Sequence, residues 1–494
     1  MTAGSLRART AHGAVLMIAS NVLVRALGLI GTLVLTHYIE PDEFGQVGAA
    51  LIWLLTANQL STLGTGTYIV AQSGRSRDGL FEATVLHLAL GAVAIAAVVA
   101  CAEPMSRGTH FQGASGFVPL LAASVVLDRV RFLPERILVR DMRFGIVSAL
   151  RSGGELTYVA VTLAGAMLGF GAMSIVWGNV LRSVVRVVIA CASAGWREWA
   201  LPQRLRPGRL GEMVSYGAPL SAGALLGFGS RNWDNLLLGY YFGPAVMSQY
   251  QLAYNLADVP AVQVGEQIGD VLQPSFARMA PEQRPAALLK STRLLGLVTF
   301  PLAVGIGAVA PTMVHVLLGP GWSAVAPMLV ILSALSVTRP VGWTIGSYLL
   351  VEVRQSTMLI LVLESVKIVA LGLFLVLAGT RDPLLSCGAV GVAFAVHALA
   401  CMIAARRTCG VPVMAFLRCV LPSLAACIPL ALAAWAAGAW LPPGTPGVAM
   451  LLLQVMAGAV AYLVAARLFA PREMAELMNL SRQAFGKAFG AASP

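Results

Sequence analysis

Fourteen runs of this chain are each long and apolar enough to cross a lipid bilayer as a helix. Lipid offers no partner to a backbone amide or carbonyl, so a chain that enters it must satisfy those groups internally. A helix does this with roughly 20 apolar residues. The runs lie near 13–38, 45–70, 81–102, 115–139, 145–168, 172–194, 214–241, 246–272, 294–318, 324–350, 357–378, 385–405, 412–440 and 447–469. The expected fold is therefore all-α and polytopic. A soluble enzyme is excluded, because 58% of the residues are hydrophobic and only 11% are charged.

Orientation follows from the connections. With the N-terminus cytoplasmic, twenty-two Lys and Arg fall on inside tails and loops, and only Arg107 and Arg381 fall outside. Basic residues are retained on the cytoplasmic side during insertion, which places both ends inside. The net charge of +12 has the same origin. It argues for contact with anionic lipid, particularly along the Arg-rich stretch 197–209, and not for nucleic acid.

The first apolar run follows Arg7 and Arg9 like a signal peptide, but it is too long and has no small-residue cleavage site before Glu40, so it reads as an uncleaved helix. Seven cysteines show no CxxC or Cys/His ligand spacing, and no metal site or disulfide is expected of them. Neither a GxxxxGK[ST] loop nor a GxGxxG turn opening a helix is present, so ATP hydrolysis and a nucleotide cofactor are not expected. No connection is long enough to fold as a domain, so the work of the protein is expected inside the membrane.

An internal echo organises the chain. LTHYIEPDEFGQ (Leu35 to Gln46) and LGYYFGPAVMSQ (Leu238 to Gln249) align at an offset of 203, matching Tyr38 with Tyr241, Pro41 with Pro244 and Gln46 with Gln249. With six spans per unit, this predicts two parallel six-helix bundles related by an axis along the membrane normal, with substrate between them. The expected divisions are 1–194 for the first bundle, 195–213 for a basic cytoplasmic linker and 214–405 for the second bundle. Two further spans at 406–470 look appended, and 471–494 reads as an amphipathic tail on the inner surface.

Ionisable groups at bilayer depth cost at least ~2.5–3.5 kcal/mol each, so they face partners or water. Near span centres lie Arg25, Arg129, Arg131, Arg151, Arg182, Arg186, Arg231, Arg339 and Lys367, against Asp128, Glu155, Asp234, Asp258 and Glu364: nine cations and five acids. A surplus of guanidinium in a bundle interior attracts an anion. Arg151 with Glu155, and Glu364 with Lys367, are spaced to pair on one helix face. Arg129 and Arg131 either face the cavity or mark an early exit of the fourth span. Arg25 and Arg231 each lie near the middle of the first span of their own repeat, Arg231 three residues before Asp234 with which it could pair locally, and Arg182 and Arg186 share a face that calls for a carboxylate or an anion opposite. Arg25, Arg182, Arg186, Arg231 and Arg339 are the candidate substrate-binding residues. Asp234 and Asp258 are candidates for coupling or gating, or else for a fixed salt bridge joining the bundles.

The run YGAPLSAGALLGFGSRNWDNLLLGYYFGPAVMSQYQLAYNLADVP (Tyr216 to Pro260) resembles the start of the second half of Wzx-like polysaccharide flippases, in the multidrug, oligosaccharidyl-lipid and polysaccharide exporter superfamily. The resemblance is carried by Asn232, Asp234, Gly239, Gly243, Tyr250 and Tyr254. ERILVRDMRF (Glu135 to Phe144), VLQPSFARM (Val271 to Met279) and EPDEFGQVGAA (Glu40 to Ala50) are similar to further family segments. The resemblance implies a flippase that turns a polyprenyl-diphosphate-linked oligosaccharide across the bacterial inner membrane by alternating access. Lipopolysaccharide, capsule or exopolysaccharide synthesis would use it. The implied partners are that lipid-linked sugar, membrane lipids and polymerase or export machinery. Two rivals stand beside it. An ion-coupled exporter of small organic solutes would want acids to outnumber bases. A membrane-embedded polysaccharide polymerase or ligase would want a sizeable outer loop, for which Glu103 to His110 is the candidate.

Overall fold

The computed structural model describes residues 23–24, 26–63, 65, 77–260, 265, 267–353, 356–440, 442 and 444–479. Arg25, and Phe485 and Phe489 of the tail, lie outside them. Among the described residues the regular elements are helices, with no strand. They begin with α1 (Ala26–Leu35), followed by α2 (Pro41–Leu60), α3 (Arg77–Arg107), α4 (Ala114–Arg140), α5 (Phe144–Met167), α6 (Met173–Ala194), α7 (Pro207–Phe242) and α8 (Pro244–Pro260). Then come α9 (Gln267–Arg278), α10 (Arg284–Leu317), α11 (Val325–Leu335), α12 (Arg339–Glu352), α13 (Ser356–Phe374), α14 (Pro383–Cys409), α15 (Val413–Trp440) and α16 (Gly447–Phe469). A last helix, α17, covers 471–479.

Among the described residues eight helical segments are long and apolar enough to cross a membrane. The chain is a multi-pass membrane protein. The 24-residue α5 and the longer α4 and α7 have the length as well, at about 1.5 Å of rise per residue. Charged residues in α4 and α5, and the Gly- and Ser-rich middle of α7, keep them below that apolarity. The tenth expected span is interrupted by a 3-10 turn at Ser336–Thr338. Pro340 has no amide to donate, so the helix restarts there with Arg339 as its first residue. α4 runs unbroken to Arg140, past Arg129 and Arg131.

Contacts divide the chain into two compact units: Met1–Ser248 with Leu318–Trp322, and Gln249–Leu317 with Ser323–Pro494. The sequence repeat placed the second bundle's start at 214, whereas α7 packs on α2 and α3 and belongs to the first unit. α7 also starts inside the expected linker, because Pro207 at the first helical position loses no hydrogen bond there. Fully buried Glu82 of α3 accepts the Arg206 amide at 2.9 Å and pairs with Arg209 at 3.1 Å. Within the basic stretch Arg209 is thus held by a carboxylate, while Arg197, Arg204 and Arg206 are exposed.

In the second unit, α15 and α16 pack on each other and on α10, where the Tyr462 hydroxyl donates to the Leu297 carbonyl at 2.6 Å. Met474 of α17 is buried in the same cluster, with Glu473 on Arg293 at 2.8 Å and Glu476 on Lys290. Residues 471–479 thus dock on protein, where the sequence suggested a helix lying on the bilayer.

The echoed turns meet inside the first unit. Pro41 and Pro244 each begin a helix, and Gly243, at φ 92°, makes the sharp turn between α7 and α8 that a side chain would strain. A Cβ on Gly45 would overlap the Pro244 carbonyl, while the Ser248 hydroxyl donates to the Pro41 carbonyl at 2.6 Å. At the 203-residue offset Gly45 corresponds to Ser248 and Pro41 to Pro244. Each position therefore touches the counterpart of the other's partner, the rule for a two-fold contact.

Two loops repeat the relation. Trp322 meets Phe44 edge-on at 5.5 Å, and the Gly319 amide donates to the Thr36 hydroxyl at 3.2 Å. Phe111, from the α3–α4 loop, lies over Gly239 beside Met247. Gly239 and Met247 are the offset counterparts of Thr36 and Phe44. We call this arrangement the clasp.

Candidate functional site

Charge within the expected spans of the first unit gathers on three consecutive helices. Arg182 and Arg186 of α6, one turn apart, both face Glu155 of α5, at 3.8 Å and 3.5 Å. Arg182 also bonds Asn179 at 2.5 Å and lies over the Tyr158 ring at 4.9 Å. Arg186 lies across Gly154, where a Cβ would come within 2.7 Å of its Cγ. The glycine preceding Glu155 is what lets the guanidinium reach the carboxylate. Gly28 of α1 borders the same acid, since a Cβ there would sit 3.1 Å from its Oε1.

Arg151 has a partner on another helix that the i, i+4 spacing to Glu155 did not suggest. It reaches Glu135 of α4 at 3.2 Å, and Glu135 also holds Arg131, which bonds Asp128 at 2.9 Å. Four guanidiniums thus share three carboxylates, Asp128, Glu135 and Glu155. Glu135 is a member that sequence reasoning missed. It sits within its own helix at i+4 from Arg131, and that spacing was the available signal. Among the described residues the Nε atoms of Arg182 and Arg186 are buried without a hydrogen-bond partner.

Arg129 plays a different part. At 3% exposure it makes five hydrogen bonds to neutral acceptors: the Asn58 side chain and carbonyl, both at 2.7 Å, the Ser61 hydroxyl and carbonyl, and the His87 carbonyl at 2.9 Å. It ties α2 and α3 to α4 and is committed to structure.

The second unit has its own charge centre. Arg339 pairs with Asp258 and is sandwiched between Tyr254 and Phe394, 4.4 Å and 4.3 Å from the ring centres. Both members of this ion pair lie in one unit, so it is not the bridge between bundles that the sequence left open. Lys367 pairs with Glu364 at 2.5 Å, as the spacing predicted, and His397 approaches Glu364 at 3.8 Å. Charges here are balanced, unlike those of the first unit. Arg231 is exposed on α7, while Asp234 is fully buried and accepts the Asn235 amide at 3.0 Å. Within the first unit Arg182 and Arg186 share one acid, and within the second Arg339 pairs with Asp258.

A cavity of about 410 Å³ opens in the first unit beside Asp42, Glu43, Gln46, Phe117 and Phe170. Its carboxylates would repel a phosphate, so it does not compete for an anionic headgroup. Glu103 pairs with Arg107 at 3.1 Å within the last turn of α3, which shortens the loop that a polymerase reading needed.

The sequence pattern of the family described as "Polysaccharide biosynthesis protein" matches residues 34–327, more than half of the chain. The chain belongs to that family. Among its relatives is the lipopolysaccharide biosynthesis protein WzxC of Escherichia coli K12, 24% identical over 352 residues, 71% of each chain. The succinoglycan biosynthesis transport protein ExoT of Rhizobium meliloti is 22% identical over 305 residues, 61% of this chain and 60% of its own. The solved structure of the lipid II flippase MurJ in an inward closed conformation superposes with a TM-score of 0.72 at 13% identity, covering 92% of this chain and 98% of that one. At that identity the likeness speaks for the fold. Family membership and fold agree with the resemblance carried by Tyr216 to Pro260.

Proposed function

We propose that this protein is a flippase carrying a polyprenyl-diphosphate-linked oligosaccharide repeat unit from the inner to the outer face of the bacterial inner membrane. Lipopolysaccharide, capsule or exopolysaccharide synthesis would draw on it, and the cycle is one of alternating access. The carrying observation is the shared carboxylate of Arg182 and Arg186: two guanidiniums one turn apart, inside a membrane protein, with less than one acid each. A diphosphate supplies the missing charge and accepts planar, forked hydrogen bonds from both. In this reading Arg25 and Arg231 join the headgroup site. Arg339 joins it only when Asp258 lets go, which makes that pair, with Asp234, the natural place for coupling or closure. The protein is a transporter and not an enzyme, with both termini cytoplasmic and a polysaccharide polymerase receiving its product.

A deletion strain tests this reading. Lipid-linked repeat units should accumulate on the cytoplasmic leaflet, and Arg182→Gln/Arg186→Gln protein at normal levels should not relieve the block. Accumulation on the outer leaflet would instead indicate a polymerase or ligase.

A further inference from the structure

Glu155 occupies the place that an anionic headgroup would take. Its carboxylate is the shared partner of Arg182 and Arg186, its side chain is 10% exposed, and theirs are 25% and 16% exposed, so one flank of the pair remains reachable. At 3.8 Å and 3.5 Å these contacts are longer than good charge-assisted hydrogen bonds of about 2.7–2.9 Å. The Nε–H donors of both arginines are buried and unspent among the described residues. At these distances the one carboxylate leaves donors of both guanidiniums unspent, whereas a diphosphate has oxygens for both. Arg151, one turn back on α5 and already on Glu135, puts a further cation at the i−4 position from Glu155, which the two carboxylates would then share.

The geometry points to Glu155 as an internal stand-in for the cargo's diphosphate, a carboxylate that holds Arg182 and Arg186 in place when the site is empty and is displaced toward Arg151 when the headgroup binds. This rests on the proposed headgroup role of those two arginines and adds to it a competitor built into the chain. Displacement keeps the site's charge nearly constant through the cycle. Without it, either the empty site would bury two unneutralised cations or the loaded site would crowd three anionic groups. It also sets cargo affinity, because the headgroup must outcompete a carboxylate held at high effective concentration.

The test uses purified full-length protein in nanodiscs and inorganic pyrophosphate as probe, with binding measured by calorimetry at fixed ionic strength. Glu155→Gln should bind pyrophosphate about tenfold or more tightly than wild type, the factor that ~1.4 kcal/mol of lost competition amounts to. Arg186→Gln should weaken binding. If Glu155→Gln binds equally or more weakly while Arg186→Gln still loses affinity, Glu155 is a structural partner only: the stand-in is overturned and the headgroup role of the arginines survives. If neither substitution changes pyrophosphate binding, both fall.

A measurement on unmodified protein covers the case in which Glu155→Gln does not fold. Carbodiimide labelling of Glu155, followed by mass spectrometry, should accelerate when pyrophosphate frees the carboxylate. A rate that is unchanged or slower overturns the proposal.

Discussion

Replacing Gly45 by alanine tests the clasp. The new methyl carbon would stand 2.5 Å from the Pro244 carbonyl carbon and 2.9 Å from its Cα. Both are backbone atoms, as is the Pro244 carbonyl oxygen that the methyl would overlap, so no side chain can rotate away, and the starts of α2 and α8 must part by about 1.5 Å to restore a ~3.5 Å contact. The hydrogen bond from Ser248 to the Pro41 carbonyl, now 2.6 Å, cannot survive that movement. Overpacking of this kind costs ~1–3 kcal/mol and the lost bond about 1 kcal/mol, against ~1 kcal/mol gained by removing a glycine from a helix interior. The closed contact is left weaker by roughly 1–3 kcal/mol, a shift of about 5- to 150-fold toward its open form.

Spin labels on cysteines introduced at the exposed positions Asp42 and Tyr241, in a background with the native cysteines replaced, read the separation directly. Gly45→Ala should move the distance distribution outward and raise the fraction of long distances. An unchanged distribution together with a higher melting temperature would mean that helix propensity outweighs the contact, and the reasoning would be refuted.

Arg129→Lys should destabilise the first unit by about 2 kcal/mol or more, because an ammonium cannot reproduce five forked bonds to three residues. A melting curve in detergent that matches wild type would contradict this. Gly154→Ala should push Arg186 off Glu155 and lower pyrophosphate affinity about tenfold with little change in melting temperature. Equal affinity would show that the glycine does not position the arginine. Glu82→Gln should loosen the start of α7, read as faster proteolysis between 195 and 206; an unchanged cleavage rate argues against the tether. Reversing Glu473 and Glu476 to lysine should release α17 at a cost of about 1 kcal/mol or less per partly exposed pair, whereas Met474→Asp should cost more because that side chain is buried. Hydrogen exchange over 471–479 distinguishes the two.

Much of the fold was legible before any coordinates. The all-α, multi-pass class follows from unbroken apolar runs, and the equivalence of Pro41 and Pro244 is visible as a repeated turn that the structure closes into mutual contact. The charged positions were legible too, as were pairs confined to one helix turn, such as Glu364 with Lys367. Pairings across helices were not. Arg151 reaches Glu135 on another helix, Glu155 is claimed by α6, and Arg129 binds carbonyls of α2 and α3 where a cavity or an early exit of the span was expected. The division into units was likewise invisible, because α7 belongs to the second repeat by sequence and to the first unit by packing.

The sequence by itself determined that this chain enters lipid, that it does so as helices, how many cations it carries to that depth, and where its repeated turns fall. Each of these depends only on local composition and on the requirement that a backbone in hydrocarbon satisfy its own hydrogen bonds. Tertiary structure alone decided which carboxylate neutralises which guanidinium, and which guanidiniums are left short. A helix's periodicity says which residues share a face, but the rotation and depth at which that face meets its neighbour are set by packing of the whole, here by glycines such as Gly154 and Gly45 that admit a side chain or a backbone where any larger residue would hold it off.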